Sequence, residues 1–123
     1  MNILIIGLGG FIGAVMRYSI SGWVHRFLGA GMPYGTLAVN VLGSFILGFF
    51  LLLAEERFTI SPAWRNFIAV GMMGALTTFS TFSFETFMLF QENLYGQVIL
   101  NIGLNVVLTI AAVWAGMSLA RVV

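Results

Sequence analysis

One short stretch of the sequence, GALTTFSTFSFET at residues 74–86, combines hydroxyl side chains with phenylalanine rings. Its hydroxyls belong to Thr77, Thr78, Ser80, Thr81, Ser83 and Thr86, and its rings to Phe79, Phe82 and Phe84. Hydroxyls donate hydrogen bonds that can replace the water around an anion, and aromatic rings carry partial positive charge at their edges. Phe79 and Phe82 are three residues apart and therefore share a helical face. The stretch is a candidate anion pathway, although phenylalanines at helical spacing more often pack or face lipid.

Polar residues also recur every four positions in two other apolar segments. One ladder contains Thr36, Asn40 and Ser44, and the other contains Asn101, Asn105 and Thr109. A spacing of four puts side chains on one face of a helix, and a single ladder is typical of hydrogen bonding between membrane helices. Two ladders beside the hydroxyl-rich stretch favour a lined pathway instead. A cation pathway would more naturally show rings of acidic residues, and Glu85 alone makes no ring.

The segments that must position these residues are long and apolar, in a chain of 123 residues that is 60% hydrophobic and 7% charged. A helix needs about 20 apolar residues to cross a bilayer. Four such spans are predicted, with Pro33 and Pro62 in the short connections between them: Asn2–Gly22, Tyr34–Ala54, Phe67–Phe90 and Val98–Ala120. We therefore expect an all-α integral membrane protein in which residues 1–123 form a single four-helix transmembrane domain.

Composition argues against several other classes of protein. Cysteine is absent and His25 is the one histidine, so thiolate chemistry and a histidine metal cluster are excluded. Few side chains remain for nucleophilic or acid–base catalysis, and an enzyme is not expected. Five arginines against four glutamates give a formal net charge of +1, which leaves no basic stripe for binding nucleic acid.

The orientation in the membrane is weakly specified. With the N-terminus inside, Arg57, Arg65 and Arg121 fall on the inner side, against Arg26 and Arg17 on the outer side. An excess of Lys and Arg in cytoplasmic loops normally sets topology, so this balance predicts that copies insert in both directions. A single, weakly biased topology is the alternative. Four helices pack without a wide pore, so a pathway is expected between the subunits of a homo-oligomer.

Gly71 and Gly74 precede the hydroxyl-rich run in the third span and weaken its helix propensity. Unwound backbone inside a membrane exposes carbonyl oxygens that can coordinate a cation such as Na⁺, here at Gly74–Thr77. The residue types alone favour the alternative, an unbroken helix whose glycines lie at a helix contact.

Three motifs together resemble the Fluc (CrcB) family of fluoride channels. They are Gly13-Ala14-x-x-Arg17-Tyr18, Gly35-Thr36-Leu37-x-x-Asn40 and Gly74-x-Leu76-Thr77-Thr78-Phe79-Ser80-Thr81-Phe82-Ser83-x-Glu85. The resemblance covers the whole chain, including its length and helix count. It implies a channel that passively exports fluoride across the bacterial inner membrane and lowers cytoplasmic fluoride. It further implies an inverted, antiparallel homodimer with dual topology and two pores, surrounded by membrane lipid.

The resemblance also implies roles for individual residues. The fluoride pathway would contain Phe79, Phe82, Asn40, Ser80, Thr81, Asn105 and Thr109, and Arg17 would lie at a vestibule. A break in the third helix would hold a structural Na⁺, not transported, at the dimer centre through the backbone carbonyls of Gly74 and Thr77 of both subunits. Many family members have glycine where this chain has Ala75, and alanine would be strained there if the position requires a positive φ.

Two other functions compete with a fluoride channel. A small proton-coupled multidrug-type exporter is also built from four helices, but it relies on a carboxylate in its first helix, and the first span here has none. The other alternative is a non-transporting assembly subunit whose polar ladders only join helices.

Overall fold

Five helices form four membrane-length segments in the computed structural model, which describes residues 2–29 and 31–123. Helix α1 covers Asn2–Leu28 and α2 covers Tyr34–Arg57. The third segment, Pro62–Gln91, is divided into α3 (62–76) and α4 (Phe79–Gln91), and α5 covers Tyr95–Val122. All four segments are long and apolar enough to cross a bilayer, which confirms the expected all-helical, multi-pass membrane protein.

The third segment is interrupted at Thr77 and Thr78. Both residues have extended backbone, with φ/ψ of −85°/155° at Thr77 and −151°/121° at Thr78. Gly74 itself is helical, with φ/ψ of −61°/−36°, so the chain unwinds after the glycine and not at it. The break that the resemblance implies is therefore present, and the alternative of an unbroken helix is wrong.

The helices run further than the hydropathy of the sequence predicts. Helix α1 continues past Gly22 to Leu28, and α2 continues past Ala54 to Arg57. Pro62, predicted to lie in a connection, is instead the first residue of α3, where its missing N–H costs nothing because the first turn of a helix leaves N–H groups unpaired. Hydropathy identifies the part of a helix that crosses lipid and misses the polar turns at its ends.

Helix α1 lies between α3 and α2, and α2 packs along α5. Glycines make these approaches possible. A Cβ at Gly13 would lie 2.2 Å from the carbonyl oxygen of Met72 in α3, and a Cβ at Gly116 would lie 2.2 Å from the carbonyl oxygen of Phe45 in α2. A cluster of buried core side chains lies between these helices: Val39, Met73 and Leu76. Helix α4 contacts mainly α5 and therefore occupies the flank of the protomer.

Candidate functional site

A groove of about 300 Å³ lies between α2, α4 and α5. We call it the polar groove; its polar lining is Asn40, Ser44, Thr77, Thr78, Asn105 and Thr109, and Phe79 and Phe82 form an aromatic wall. Both polar ladders reach it, because α2 and α5 pack with these faces towards the break in the third segment. The groove brings together five of the seven residues predicted for the fluoride pathway: Asn40, Phe79, Phe82, Asn105 and Thr109.

The side chain of Asn40 stabilises the extended backbone at the break. Its Oδ1 accepts the backbone N–H of Thr78 at 2.8 Å, and its Nδ2 donates to the backbone carbonyl of the same residue at 3.2 Å. The second Nδ2 proton points to Oδ1 of Asn105, at 3.1 Å. The amide thus pairs the backbone N–H that the break deprives of its helical partner and adds a hydrogen bond to the carbonyl of the same residue. It also connects α2 to α5 at this point.

A chain of hydrogen bonds continues from Asn105 away from the break. Nδ2 of Asn105 donates to the backbone carbonyl and to Oδ1 of Asn101, at 2.9 and 3.2 Å. Asn101, only 1% exposed, donates to Oγ1 of Thr86 at 2.9 Å, and Thr86 donates to the carbonyl of Phe82 at 2.6 Å. The ladders therefore do both things that the sequence left open: they join helices, and they line a groove.

The two rings of the predicted aromatic pair have different surroundings. Their centroids are 5.4 Å apart with an interplanar angle of 50°. Phe82 is packed into the protomer and 9% exposed, whereas Phe79 is 78% exposed. Thr78 caps the start of α4 beside these rings, because its Oγ1 accepts the backbone N–H of Thr81 at 3.1 Å. The amino-terminal end of α4, which carries partial positive charge, consequently lies at the groove.

A second cavity, of about 250 Å³, lies on the other side of Thr78. We call it the arginine cavity; it is lined by Arg17, Tyr18 and Ser21 of α1, Thr36 of α2, and Thr78 and Thr81 at the break and in α4. It contains the predicted vestibule residue Arg17 and the pathway residue Thr81. Ser80 lines neither cavity; it is exposed, and its Oγ lies 3.4 Å from Oγ1 of Thr78. Thr78 alone of these hydroxyl residues borders both cavities.

Comparison with known proteins identifies the family of this chain. Residues 4–117 match the family model described as CrcB-like protein, Camphor Resistance (CrcB). The chain belongs to the CrcB family. A relative from Sulfurovum sp. (strain NBC37-1), named fluoride-specific ion channel FluC, is 50% identical over 97% of this chain and 93% of its own length. Relatives with the same name from Sulfurihydrogenibium sp. (strain YO3AOP1) and Vibrio campbellii (strain ATCC BAA-1116) are 45% and 48% identical, over 96% and 93% of this chain and 95% and 90% of theirs.

Membership in a family of ion channels confirms that this CrcB-family chain is not an enzyme. Within the described ranges, 2–29 and 31–123, the acidic and histidine side chains form no cluster that could hold a metal ion. The relatives' naming as ion channels and the four apolar segments also confirm a multi-pass membrane protein, which in bacteria resides in the inner membrane.

The backbone carbonyls of Gly74 and Thr77 lose their usual partners at the break. In a continuous helix, Gly74 would accept from the N–H of Thr78 and Thr77 from the N–H of Thr81. Those two N–H groups instead donate to the side chains of Asn40 and Thr78. Ala75 is helical, and among the described residues only Asn93 combines a side chain with a positive φ, so the expected strain at Ala75 is absent.

Three residues that matter to this geometry were not predicted as site residues: Thr78, Asn101 and Thr86. Thr78 could have been recognised, because a threonine at the start of an aromatic helical run is a helix N-cap signal. Asn101 stands four residues before Asn105 in the predicted ladder, but its role as the link to Thr86 depends on how α4 folds back along α5. The packing of α4 against α5 cannot be recognised from the sequence of either segment alone.

Proposed function

We propose that this protein is a channel that passively exports fluoride and so lowers cytoplasmic fluoride. The observation that carries the proposal is the polar groove, in which five residues predicted for an anion pathway lie together. Phe79 and Phe82 offer ring edges to an anion, and hydroxyl groups can supply hydrogen bonds that replace its water. The relatives named fluoride-specific ion channels make fluoride the expected anion.

The working unit is an inverted homodimer with two pores. The polar groove is open on the flank of the protomer, and Phe79 in its wall is 78% exposed. A ring exposed to lipid would contribute nothing to an ion pathway, so a second copy has to cover this flank. Because a two-fold operator repeats every contact, a dimer closed over one groove closes the partner's groove as well.

The dimer binds a structural Na⁺ that is not transported. The carbonyls of Gly74 and Thr77 fit this role, because the break removes their helical hydrogen bonds while leaving both on one short stretch of backbone. A Cβ at Gly74 would meet no atom within 4 Å, so this position faces open space in the protomer. Two carbonyls from each copy would give four oxygen ligands, as a hard cation prefers.

Arg17 lies at a vestibule, the arginine cavity, and its positive charge attracts fluoride toward the break. It lines the arginine cavity together with Thr81, and Thr78 lies between this cavity and the polar groove. A fixed positive charge raises the local concentration of an anion. Ser80 and Thr81 continue the polar track from the break along the first turn of α4.

A fluoride efflux assay tests the proposal. Purified protein in liposomes loaded with potassium fluoride should release fluoride rapidly when valinomycin dissipates the electrical potential, and slowly without it, because a passive channel moves net charge. Efflux should be independent of a pH gradient. Fluoride release coupled to protons, or release of a cationic drug in its place, would support the exporter alternative, and no release at all would leave only an assembly role.

A further inference from the structure

The donors of the polar groove are mostly occupied by the protein itself. Both Nδ2 protons of Asn40 are donated to Thr78 and Asn105, and those of Asn105 are donated to Asn101. An amide in this state presents no free N–H to a passing anion. Fluoride would have to break an existing hydrogen bond to gain one from either asparagine.

The threonine hydroxyls of the groove are similarly engaged. Thr77 donates to the carbonyl of Met73 at 2.9 Å, and Thr109 donates to the carbonyl of Asn105. Thr78 accepts the N–H of Thr81 as the cap of α4 and lies 3.4 Å from the hydroxyl of Ser80. Thr77 and Thr109 therefore direct their hydroxyl protons to backbone carbonyls, and the hydroxyl of Thr78 is engaged as the cap of α4.

Ser44 differs from these residues. It lines the same groove, is half-buried, and makes no hydrogen bond to any part of the chain that the structure describes. It lies one helical turn from Asn40 on α2, about 6 Å along the helix axis. Leu47 and Val106 line the groove near it and keep its surroundings apolar, which strengthens a hydrogen bond to a charge.

We propose that the hydroxyl of Ser44 is a fluoride-binding donor and a specificity-determining residue of the pathway; this rests on the proposed function. A serine hydroxyl on a helix can rotate between the carbonyl four residues earlier and an incoming ligand. Ser44 can therefore donate to fluoride without breaking the network that holds the helix break, which neither Asn40 nor Asn105 can do.

The test compares Ser44→Cys and Ser44→Ala with the wild type in the liposome efflux assay, at neutral pH and low internal fluoride, with equal amounts of reconstituted dimer. Hydroxyl, thiol and methyl form a series of falling donor strength at similar size. Efflux should fall in that order, by about tenfold or more for alanine, because a hydrogen bond to a charged group is worth at least that factor. Ser44→Thr, which keeps the hydroxyl, should retain more efflux than Ser44→Ala.

The matched control is Ser118→Ala. Ser118 is also half-buried, makes no hydrogen bond within the described residues, and lies on α5 away from the polar groove. Its variant should show wild-type efflux. A Ser44→Ala variant with the wild-type rate, or cysteine and alanine variants lowered equally, would overturn the role of Ser44 while the fluoride channel stands. An inactive wild type would overturn the proposed function itself.

Discussion

The side-chain amide of Asn40 pairs with both backbone groups of Thr78, accepting its N–H at 2.8 Å and donating to its carbonyl at 3.2 Å. An unpaired backbone group inside a bilayer costs several kcal/mol, and water is not available there to replace the lost partner. One side chain on α2 therefore makes a break in the third segment tolerable. The same break releases the carbonyls of Gly74 and Thr77 and starts α4 at the groove.

Replacing Asn40 with alanine is expected to destabilise the fold and abolish fluoride efflux. The variant leaves the N–H of Thr78 unpaired, which should lower the free energy of unfolding by about 1–3 kcal/mol. Thermal denaturation in detergent and liposome efflux measure the two effects. Asn66→Ala is the control, since Asn66 makes no side-chain hydrogen bond within the described residues and lies outside the groove. Equal stability of the two variants would contradict the role given to Asn40.

Replacing either ring of the aromatic wall with isoleucine should suppress fluoride efflux, because the volume is roughly kept and the ring edge is lost. The two variants should differ in stability. Phe82→Ile should lower the free energy of unfolding by about 1 kcal/mol, since the ring is 9% exposed, and Phe79→Ile should leave the protomer almost unchanged.

Phe87→Ile provides the control for both ring variants. Phe87 is also on α4, is 57% exposed and does not line the polar groove. Its variant should retain wild-type efflux in liposomes. Unchanged efflux in both Phe79→Ile and Phe82→Ile would remove the rings from the pathway.

The sequence predicted the parts of this molecule that depend on local pattern. Hydropathy located the four segments, and a period of four placed Asn40 and Asn105 on faces that do meet in the structure. The resemblance placed the break in the third segment, which the glycines alone did not establish. The break lies after Gly74, because side-chain acceptors from Asn40 and Thr78 capture the N–H groups that would have continued the helix.

Other features depend on how distant segments meet and could not be read from one segment at a time. Asn101 bonds Thr86 only because α4 folds back along α5. The difference between Phe79 and Phe82, one exposed and one buried, is set by the rotation of α4 about its axis after the break. Two phenylalanines three residues apart carry no information on that rotation.

Two glycines of α1 should respond in opposite ways to alanine. At Gly13 a Cβ would lie 2.2 Å from the carbonyl oxygen of Met72, so Gly13→Ala must separate α1 from α3 and lower the thermal denaturation temperature. At Gly22 a Cβ would meet nothing within 4 Å, and alanine should raise helix stability by about 0.5–1 kcal/mol. Thermal unfolding in detergent compares the two, and equal behaviour would contradict the packing of α1 on α3.

A reporter fused to the C-terminus should be found on both sides of the membrane. Arg57, Arg65 and Arg121 lie at one end of the helical bundle and Arg26 at the other, while Arg17 lies well inside α1. The difference between the two ends is small, and charge bias in short loops sets orientation. Paired reporters, one active only inside the cell and one only outside, measure the two populations. A single-sided signal would contradict the inverted homodimer.

Gly74→Ala should separate folding from dimerisation. Gly74 is helical and its Cβ would meet nothing within 4 Å in the protomer, so alanine should leave protomer folding intact. If four carbonyls hold Na⁺ where two copies meet, the added methyl crowds the cation, and the dimer should weaken. We expect the wild-type dimer to dissociate when Na⁺ is replaced by N-methylglucamine. The Gly74→Ala dimer should dissociate readily even in Na⁺. Cross-linking in liposomes measures both.

The control is Gly96→Ala, because Gly96 is also open in the protomer but lies at the start of α5. A wild-type dimer whose stability does not depend on Na⁺ would rule out a cation at this position. A Gly74→Ala dimer as stable as the Gly96→Ala dimer would do the same.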